Sequence, residues 1–368
     1  MSILSPGYRI GDRYTIDEEV GRGGMQEVYR ATDEILQREV AVKVPQDANA
    51  ARKFKESAVI SARVNHPNVA KTLDYFEDSH CRFCMVEELV LGENLRTVAS
   101  HFERLDPHTA AHVLHHLARG VAASHRVGVV HRDLKPSNVL IAGGLGFNAV
   151  KITDFGIARM AAQEIGDAVA GGEETTQSSR TARGQIAYMA PEVITSPRAP
   201  SMPADVWAIA AIAWELLTGI PPFGTGYVAV KSILMGEMQD LPPKVDQHRQ
   251  FGGLAKAVHE IVLKCLQVDP ALRPTAEQLA NICDHLCYLP PVGRETGTVG
   301  NYPSGTSAFG FISSSGDTVF FHSRSIVGRK PGVGARVWFM KYPGQPRPRA
   351  IPVVPMKAAQ KGQGNDPA

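Results

Sequence analysis

The sequence predicts an α+β chain with a small β-rich lobe, a larger mainly helical lobe and a small all-β unit at the end. Three observations carry that prediction. Strand-like runs alternate through residues 8 to 100, broken by one helical stretch. Residues 108 to 290 are patterned mainly as helix, with a few short apolar runs between. Residues 309 to 355 return to short strands after a stretch rich in Gly, Pro, Ser and Thr. At 368 residues the chain is long enough for about two to three domains.

In the first part, "YTIDEEVG", "EVYRATD", "REVAVKVP" and "FCMVEELV" have the composition of strands. "NAARKFKESAVISARV" spaces its apolar residues as a helix does. In the second part, "VVHR", "NVLIA" and "AVKITD" predict short strands between helices. Segment 161 to 184 lacks periodicity and is rich in small polar residues, which predicts a long mobile loop. The most apolar run is "ADVWAIAAIAWELLTGIPPF", Ala204 to Phe223. It contains Asp205 and Glu215, charges that are costly in lipid, so a buried helix is predicted rather than a membrane span. Residues 290 to 296 are assigned to a linker, 297 to 355 to the β unit and 356 to 368 to a disordered tail.

A formal net charge of +2 implies no general affinity for polyanions or membranes. The charge is uneven. From Glu295 onward nine Lys/Arg face three Asp/Glu, and the preceding residues carry 30 Lys/Arg against 34 Asp/Glu. A basic end on a mildly acidic body suggests two modules with different partners. The N-terminal residues show no signal peptide, so a cytoplasmic location without membrane association is expected. Five cysteines, an odd number, fit reduced thiols. Cys81 with Cys84 and Cys283 with Cys287 have unmatched spacings, and are expected to be buried thiols rather than zinc half-sites.

A series of motifs carries the chemistry. "GRGGMQEV" begins at Gly21, "VAVK" ends at Lys43, "HRDLKPSNVL" runs from His131 to Leu140, "DFG" from Asp154 to Gly156, and "APE" from Ala190 to Glu192. Each alone has a bland reading as turn, cap or solvated charge. In this order they resemble the protein kinase family, over about Tyr8 to Leu289. Lys135 in "DLKPSN" resembles the Ser/Thr-directed branch, and "AYMAPE" is similar to bacterial Ser/Thr kinases. The resemblance implies a bilobal protein kinase fold, with a small lobe over about 8–91 and a large lobe over about 92–289. It implies transfer of the γ-phosphate of MgATP to Ser or Thr hydroxyls of partner proteins, with ATP and Mg2+ (or Mn2+) as cofactors.

The resemblance also assigns residues. Gly21 and Gly23 would let backbone N–H groups approach phosphate oxygens, because they lack Cβ. Lys43 would hold the α- and β-phosphates. Asn138 and Asp154 would supply hard oxygen ligands for the metal. Asp133 would orient the substrate hydroxyl and accept its proton, and Lys135 would steady the γ-phosphate. Val20, Val28 and Ala41 would roof the adenine slot, with Leu140 its floor and main-chain groups of Glu88 and Val90 its hinge. Core packing accounts for those apolar residues equally well. Asp205 resembles the anchor of the catalytic loop, and Arg273 the partner of Glu192.

Four positions depart from the family pattern. Gln26 replaces the third glycine, which predicts reduced affinity rather than its loss. Ser57 stands where a helix Glu pairs with the strand Lys, and the adjacent Glu56 is turned by roughly 100° along a helix. Glu87 occupies the usually apolar position before hinge residue Glu88, and is expected to pair with Lys43 in place of the missing Glu. The competing reading is a one-residue shift that leaves Glu87 facing solvent. Gln185 replaces a Thr that bonds Asp133 and Lys135. Arg132 before Asp133 suggests activation by loop phosphorylation at Thr175, Thr176, Ser178, Ser179 or Thr181, with autophosphorylation. A merely flexible polar loop explains those residues as well.

"FGFI" at Phe309 to Ile312 and "VFFH" at Val319 to His322, within the segment beginning at Thr298, resemble the cold-shock domain, a small OB-type barrel. That resemblance covers about Gly297 to Pro355. It implies stacking of single-stranded RNA or DNA bases on Phe309, Phe311, Phe320 and His322, with nucleic-acid-linked regulation. Core packing is the alternative for such a stripe, and docking on the kinase or a partner protein is the alternative for the barrel. Two rival functions stand beside an active kinase. One is a pseudokinase scaffold with weak ATP binding, the other chiefly a single-stranded nucleic-acid-binding protein.

Overall fold

The small lobe is one antiparallel sheet. Its strands are β1 (Arg9–Ile10), β2 (Tyr14–Arg22), β3 (Gln26–Asp33), β4 (Arg38–Pro45), β5 (Thr72–Glu77) and β6 (Phe83–Glu88). They lie in the order β1-β2-β3-β4-β6-β5. Because strand side chains alternate, Val40, Val42 and Val44 of β4 enter the lobe's core with Ile16, Tyr29 and Val86. Ala41 and Lys43 take the opposite face. The same alternation in β6 buries Cys84 and Val86 in that core and puts Met85 against Phe54 and Ala58. Glu87 follows on the face of Met85. The chain is seen here in a computed structural model that describes residues 2–23, 26–46, 54–55, 58–78, 82–155, 184–196, 201–226, 228–242, 245, 247–302 and 308–358.

The large lobe continues with β7 (Gly92–Asn94), helix α1 (Leu95–Ser100) and helix α2 (Pro107–Arg126), then β8 (Val139–Ala142) and β9 (Ala149–Ile152). Among the described residues the helices α3 (Pro191–Thr195), α4 (Met202–Thr218), α5 (Val228–Met235), α6 (Gly252–Cys265) and α7 (Ala276–Asp284) follow. Helix α4 is the apolar run of the sequence, buried along most of its length. Its two acids are satisfied inside the protein. The Asp205 carboxylate accepts the N–H groups of His131 and Arg132 at 2.8 and 2.9 Å, and Glu215 accepts from the Tyr188 hydroxyl. The helix stops at Gly219, where φ is 88° and a Cβ would lie 2.1 Å from the Glu103 carbonyl oxygen.

"VVHR" is not a strand. Its last two N–H groups go to the Asp205 side chain, and Arg132 sits at φ 70°, so no ladder can form there. Strands β1 and β5 were not expected: β1 is two residues long, and β5 has no alternation of burial to betray it.

The last unit is a closed five-stranded barrel of β10 (Glu295–Asn301), β11 (Phe309–Ser314), β12 (Asp317–His322), β13 (Arg336–Tyr342) and β14 (Arg349–Pro355). The order is β10-β11-β12-β14-β13, and β10 pairs with β13 to close it. Gly310 is required inside, since a Cβ there would sit 2.6 Å from the Phe321 ring. The first strand starts at Glu295, within the segment assigned to a linker. Met356 and Lys357, assigned to the tail, are also held: Met356 bridges Phe102, and the Lys357 N–H donates to the His101 carbonyl at 2.7 Å.

The barrel is seated on the large lobe rather than tethered to it. Trp338, Val354 and Val327 belong to the large lobe's core. The Trp338 ring lies 5.3 Å from Phe102 and 5.5 Å from Phe147, and its indole N–H donates to the Leu145 carbonyl at 3.0 Å. Arg294 donates to both oxygens of Asp106 at 2.6 and 3.0 Å, with both side chains buried. Asp106 is also the N-cap of α2.

Candidate active site

Between the lobes, Lys43 on β4 meets two carboxylates. Its Nζ lies 2.6 Å from Glu87 Oε2 and 2.7 Å from Asp154 Oδ1. It also donates to Thr153 Oγ1 at 3.1 Å. Above it, Val28 and Lys43 are register partners across β3 and β4, and Gly21 faces Val28 across β2 and β3. A Cβ at Gly21 or Gly23 would meet nothing nearer than 3.8 Å, and neither residue has a positive φ. The fold itself does not demand glycine there, whereas a ligand approaching the backbone would.

The second half of the site is built by the loop after α2. His131 donates from Nε2 to the Thr153 carbonyl at 2.9 Å and accepts the Asp133 N–H at Nδ1 at 3.2 Å. Its ring also packs on Phe155. The Asp133 carboxylate takes Lys135 Nζ at 2.9 Å, Asn138 Nδ2 at 3.2 Å and the Gln185 amide. Asn138 Nδ2 also donates to the Asp133 carbonyl at 2.8 Å, while its carbonyl oxygen takes a long 3.4 Å bond from the Ser137 hydroxyl. Asp205 ties the loop from below, and His125 Nε2 donates to it at 2.8 Å. Arg273 grips Glu192 through two parallel bonds of 2.8 Å.

Comparison with known proteins shows the family. The family described as "Protein kinase domain" matches residues 14–283. The chain belongs to the protein kinase family. Its kinase domain groups with bacterial serine/threonine-protein kinases. It is 32% identical to the serine/threonine-protein kinase PrkC of Bacillus subtilis, over 74% of this chain and 40% of that protein. It is 33% identical to the serine/threonine-protein kinase PknB of Mycobacterium tuberculosis, over 72% of this chain and 41% of that protein. It is 36% identical to the probable serine/threonine-protein kinase PknB of Corynebacterium glutamicum, over 58% of this chain and 32% of that protein. The matches thus span about a third to two fifths of these relatives. Among solved structures it is similar to Rad53 1-466 in complex with AMP-PNP, with TM-score 0.55, 25% identity, and 73% and 64% of the two chains covered.

The electrostatics of the kinase cleft fit a cation. Burial works against the Lys43 ammonium, but the Asp154 and Glu87 carboxylates outweigh it and hold its pKa above the ordinary lysine value. Burial pushes Glu87 above the usual carboxylate range. Burial also opposes ionisation of Asp154, yet Lys43 prevails and keeps it below that range. Two carboxylates thus face one ammonium, a surplus that a divalent ion at Asp154 would offset. Asp154 and the Asn138 carbonyl are the hard oxygen donors suited to Mg2+.

The other expected residues fall as follows. Ala41 is buried, Val28 and Leu140 are half-buried at the cleft, and Val20 is 49% exposed. Glu88 ends β6, with its side chain 2.8 Å from Lys151 Nζ, and Val90 follows it. Glu56, Ser57, Cys81, Gly156 and the loop residues Thr175, Thr176, Ser178, Ser179 and Thr181 lie outside the described residues. Cys84 and Cys283 are buried, but Cys287 is exposed, contrary to expectation, because it follows α7 where the chain leaves the core. Sequence reasoning missed Thr153, which bonds Lys43, Glu87 and His131. Its place directly before Asp154 was the only signal. Phe309, Phe311 and Phe320 form a cluster on the barrel's outer face, with ring centroids 5.7 to 6.1 Å apart and Phe309 47% exposed. The Arg347 guanidinium lies 5.8 Å from the Phe311 ring, and His322 pairs with Phe309 across β11 and β12. No helix among the described residues is long and apolar enough to cross a membrane.

Proposed function

We propose that the chain is an active Ser/Thr protein kinase, transferring the γ-phosphate of MgATP to protein hydroxyls and to its own loop. The observation that carries this reading is Asp133, held by Lys135, Asn138 and Gln185 on a loop that His131 joins to Thr153, the neighbour of Asp154 and partner of Lys43. Asp133 accepts the proton of the substrate hydroxyl as its oxygen forms a bond to the γ-phosphorus and ADP departs. Lys43 takes the α- and β-phosphates, Lys135 the γ-phosphate, and the glycine backbone covers them. Asn138 and Asp154 would hold Mg2+, which supplies neutralisation of phosphate charge. Glu87 keeps Lys43 in place.

A second reading adds to the first. The external rings of Phe309, Phe311 and Phe320 beside Arg347 favour a cold-shock-like barrel that stacks single-stranded nucleic acid and modulates the kinase. One experiment tests both. Wild type, Asp133→Ala and Phe309→Ala/Phe320→Ala proteins are incubated with radiolabelled ATP, with and without single-stranded RNA. Incorporation is expected in wild type and lost in Asp133→Ala. An RNA effect is expected in wild type and lost in the double variant. Wild-type labelling no higher than a no-enzyme background overturns the kinase reading and leaves a scaffold, and equal labelling above background overturns the role of Asp133.

A further inference from the structure

Gln26 stands where the family has its third glycine, and its side chain is not turned away from the cleft. It is only 8% exposed. Its Nε2 donates to Asp154 Oδ1 at 2.9 Å, the same oxygen that receives Lys43 Nζ. Its Oε1 is buried and has no hydrogen-bond partner among the described residues. The backbone at this point is fixed independently: Gln26 pairs with Pro45 across β3 and β4, and its carbonyl accepts the Gly23 N–H at 2.9 Å. The side chain therefore spans from the small lobe to Asp154, with one end of its amide satisfied among the described residues. A buried acceptor left unpaired costs free energy, so the closed contact is held under tension.

We propose that Gln26 is a latch, tying the start of β3 to Asp154, and that metal-bound phosphates must displace it. This inference rests on the nucleotide-site reading above. Asp154 Oδ1 cannot keep the Gln26 N–H and at the same time face a cation with both lone pairs free, because Lys43 already takes one. Gln26 is thus a positioning residue that weakens MgATP binding and raises the Mg2+ concentration the site requires. Adenosine, which reaches neither Asp154 nor a metal, does not feel it.

The test is titration calorimetry on the full chain, comparing wild type with Gln26→Ala and with the shape-preserving Gln26→Met. Both variants are expected to bind MgATP more tightly by about two- to tenfold, the worth of one net hydrogen bond. Half-maximal binding is expected at lower Mg2+, with adenosine affinity and nucleotide-free melting temperature unchanged. Unchanged or weaker MgATP binding in both variants overturns the latch. So does an equal gain for adenosine, which would mean general loosening of the cleft. Failure of the wild type and both variants to bind adenosine or MgATP overturns the nucleotide-site reading itself, and the latch with it.

Discussion

Lys43 is held at a single point by three groups, Glu87 from β6 and the adjacent Thr153 and Asp154 that follow β9. An ammonium buried this deeply remains charged only because both carboxylates face it. Glu87→Gln keeps the shape but removes one charge. It is expected to lower kcat/KM for ATP by about 10- to 100-fold, the worth of a charge-assisted hydrogen bond. Steady-state kinetics at varied ATP check this, and unchanged kinetics would show that Glu87 does not hold Lys43. The residue types at this point were legible in the sequence, down to the unusual acid before the hinge. The bond from Gln26 to Asp154 was not, because the two are 128 residues apart and no local pattern links them.

At the scale of elements, the loop that carries Asp133 is shaped by a helix it does not belong to. Asp205, in the first turn of α4, replaces a strand partner for the N–H groups of His131 and Arg132. The resemblance to kinases marked Asp205 as an anchor, while strand-like composition alone misread "VVHR". Local propensity lost because the polar backbone there is satisfied by a side chain. Asp205→Ala would strand two loop N–H groups at about 1–3 kcal/mol each. A lower melting temperature is expected, together with a loss of phosphoryl transfer that exceeds any loss in nucleotide affinity. Calorimetry and single-turnover assays separate the two effects. A variant that melts lower but transfers phosphate normally would reduce Asp205 to a purely structural group.

At the scale of the whole molecule, the basic end has its own barrel core and also packs on the large lobe. The family match stops at residue 283, yet Arg294 beyond it neutralises the N-cap of α2. Arg294→Ala leaves the buried Asp106 carboxylate without its counter-ion, which is expected to cost about 3–5 kcal/mol. Thermal unfolding measures it, and a loss within the ordinary range of a surface pair would refute the role. Burial works against ionised Asp106, but Arg294 outweighs it and holds the pKa below the usual carboxylate range. The pair's stabilisation is therefore present above that range and is lost as pH falls through the lower folded-state value. The acid limb of wild-type stability should accordingly contain a contribution that Arg294→Ala lacks. The barrel's seat was not legible, since Trp338 reads as one more strand aromatic until Phe102 and Phe147 are found beneath it.

By itself the sequence determined the lobes and the motif residues, because each motif spans a few consecutive positions and is read without its partners. Only the tertiary structure decided what those residues touch. Lys43 and Asp154 are 111 residues apart, and Arg294 and Asp106 are 188 apart. Burial turns such distant pairs into the main electrostatic terms, and burial is a property of the packed molecule rather than of any stretch of chain.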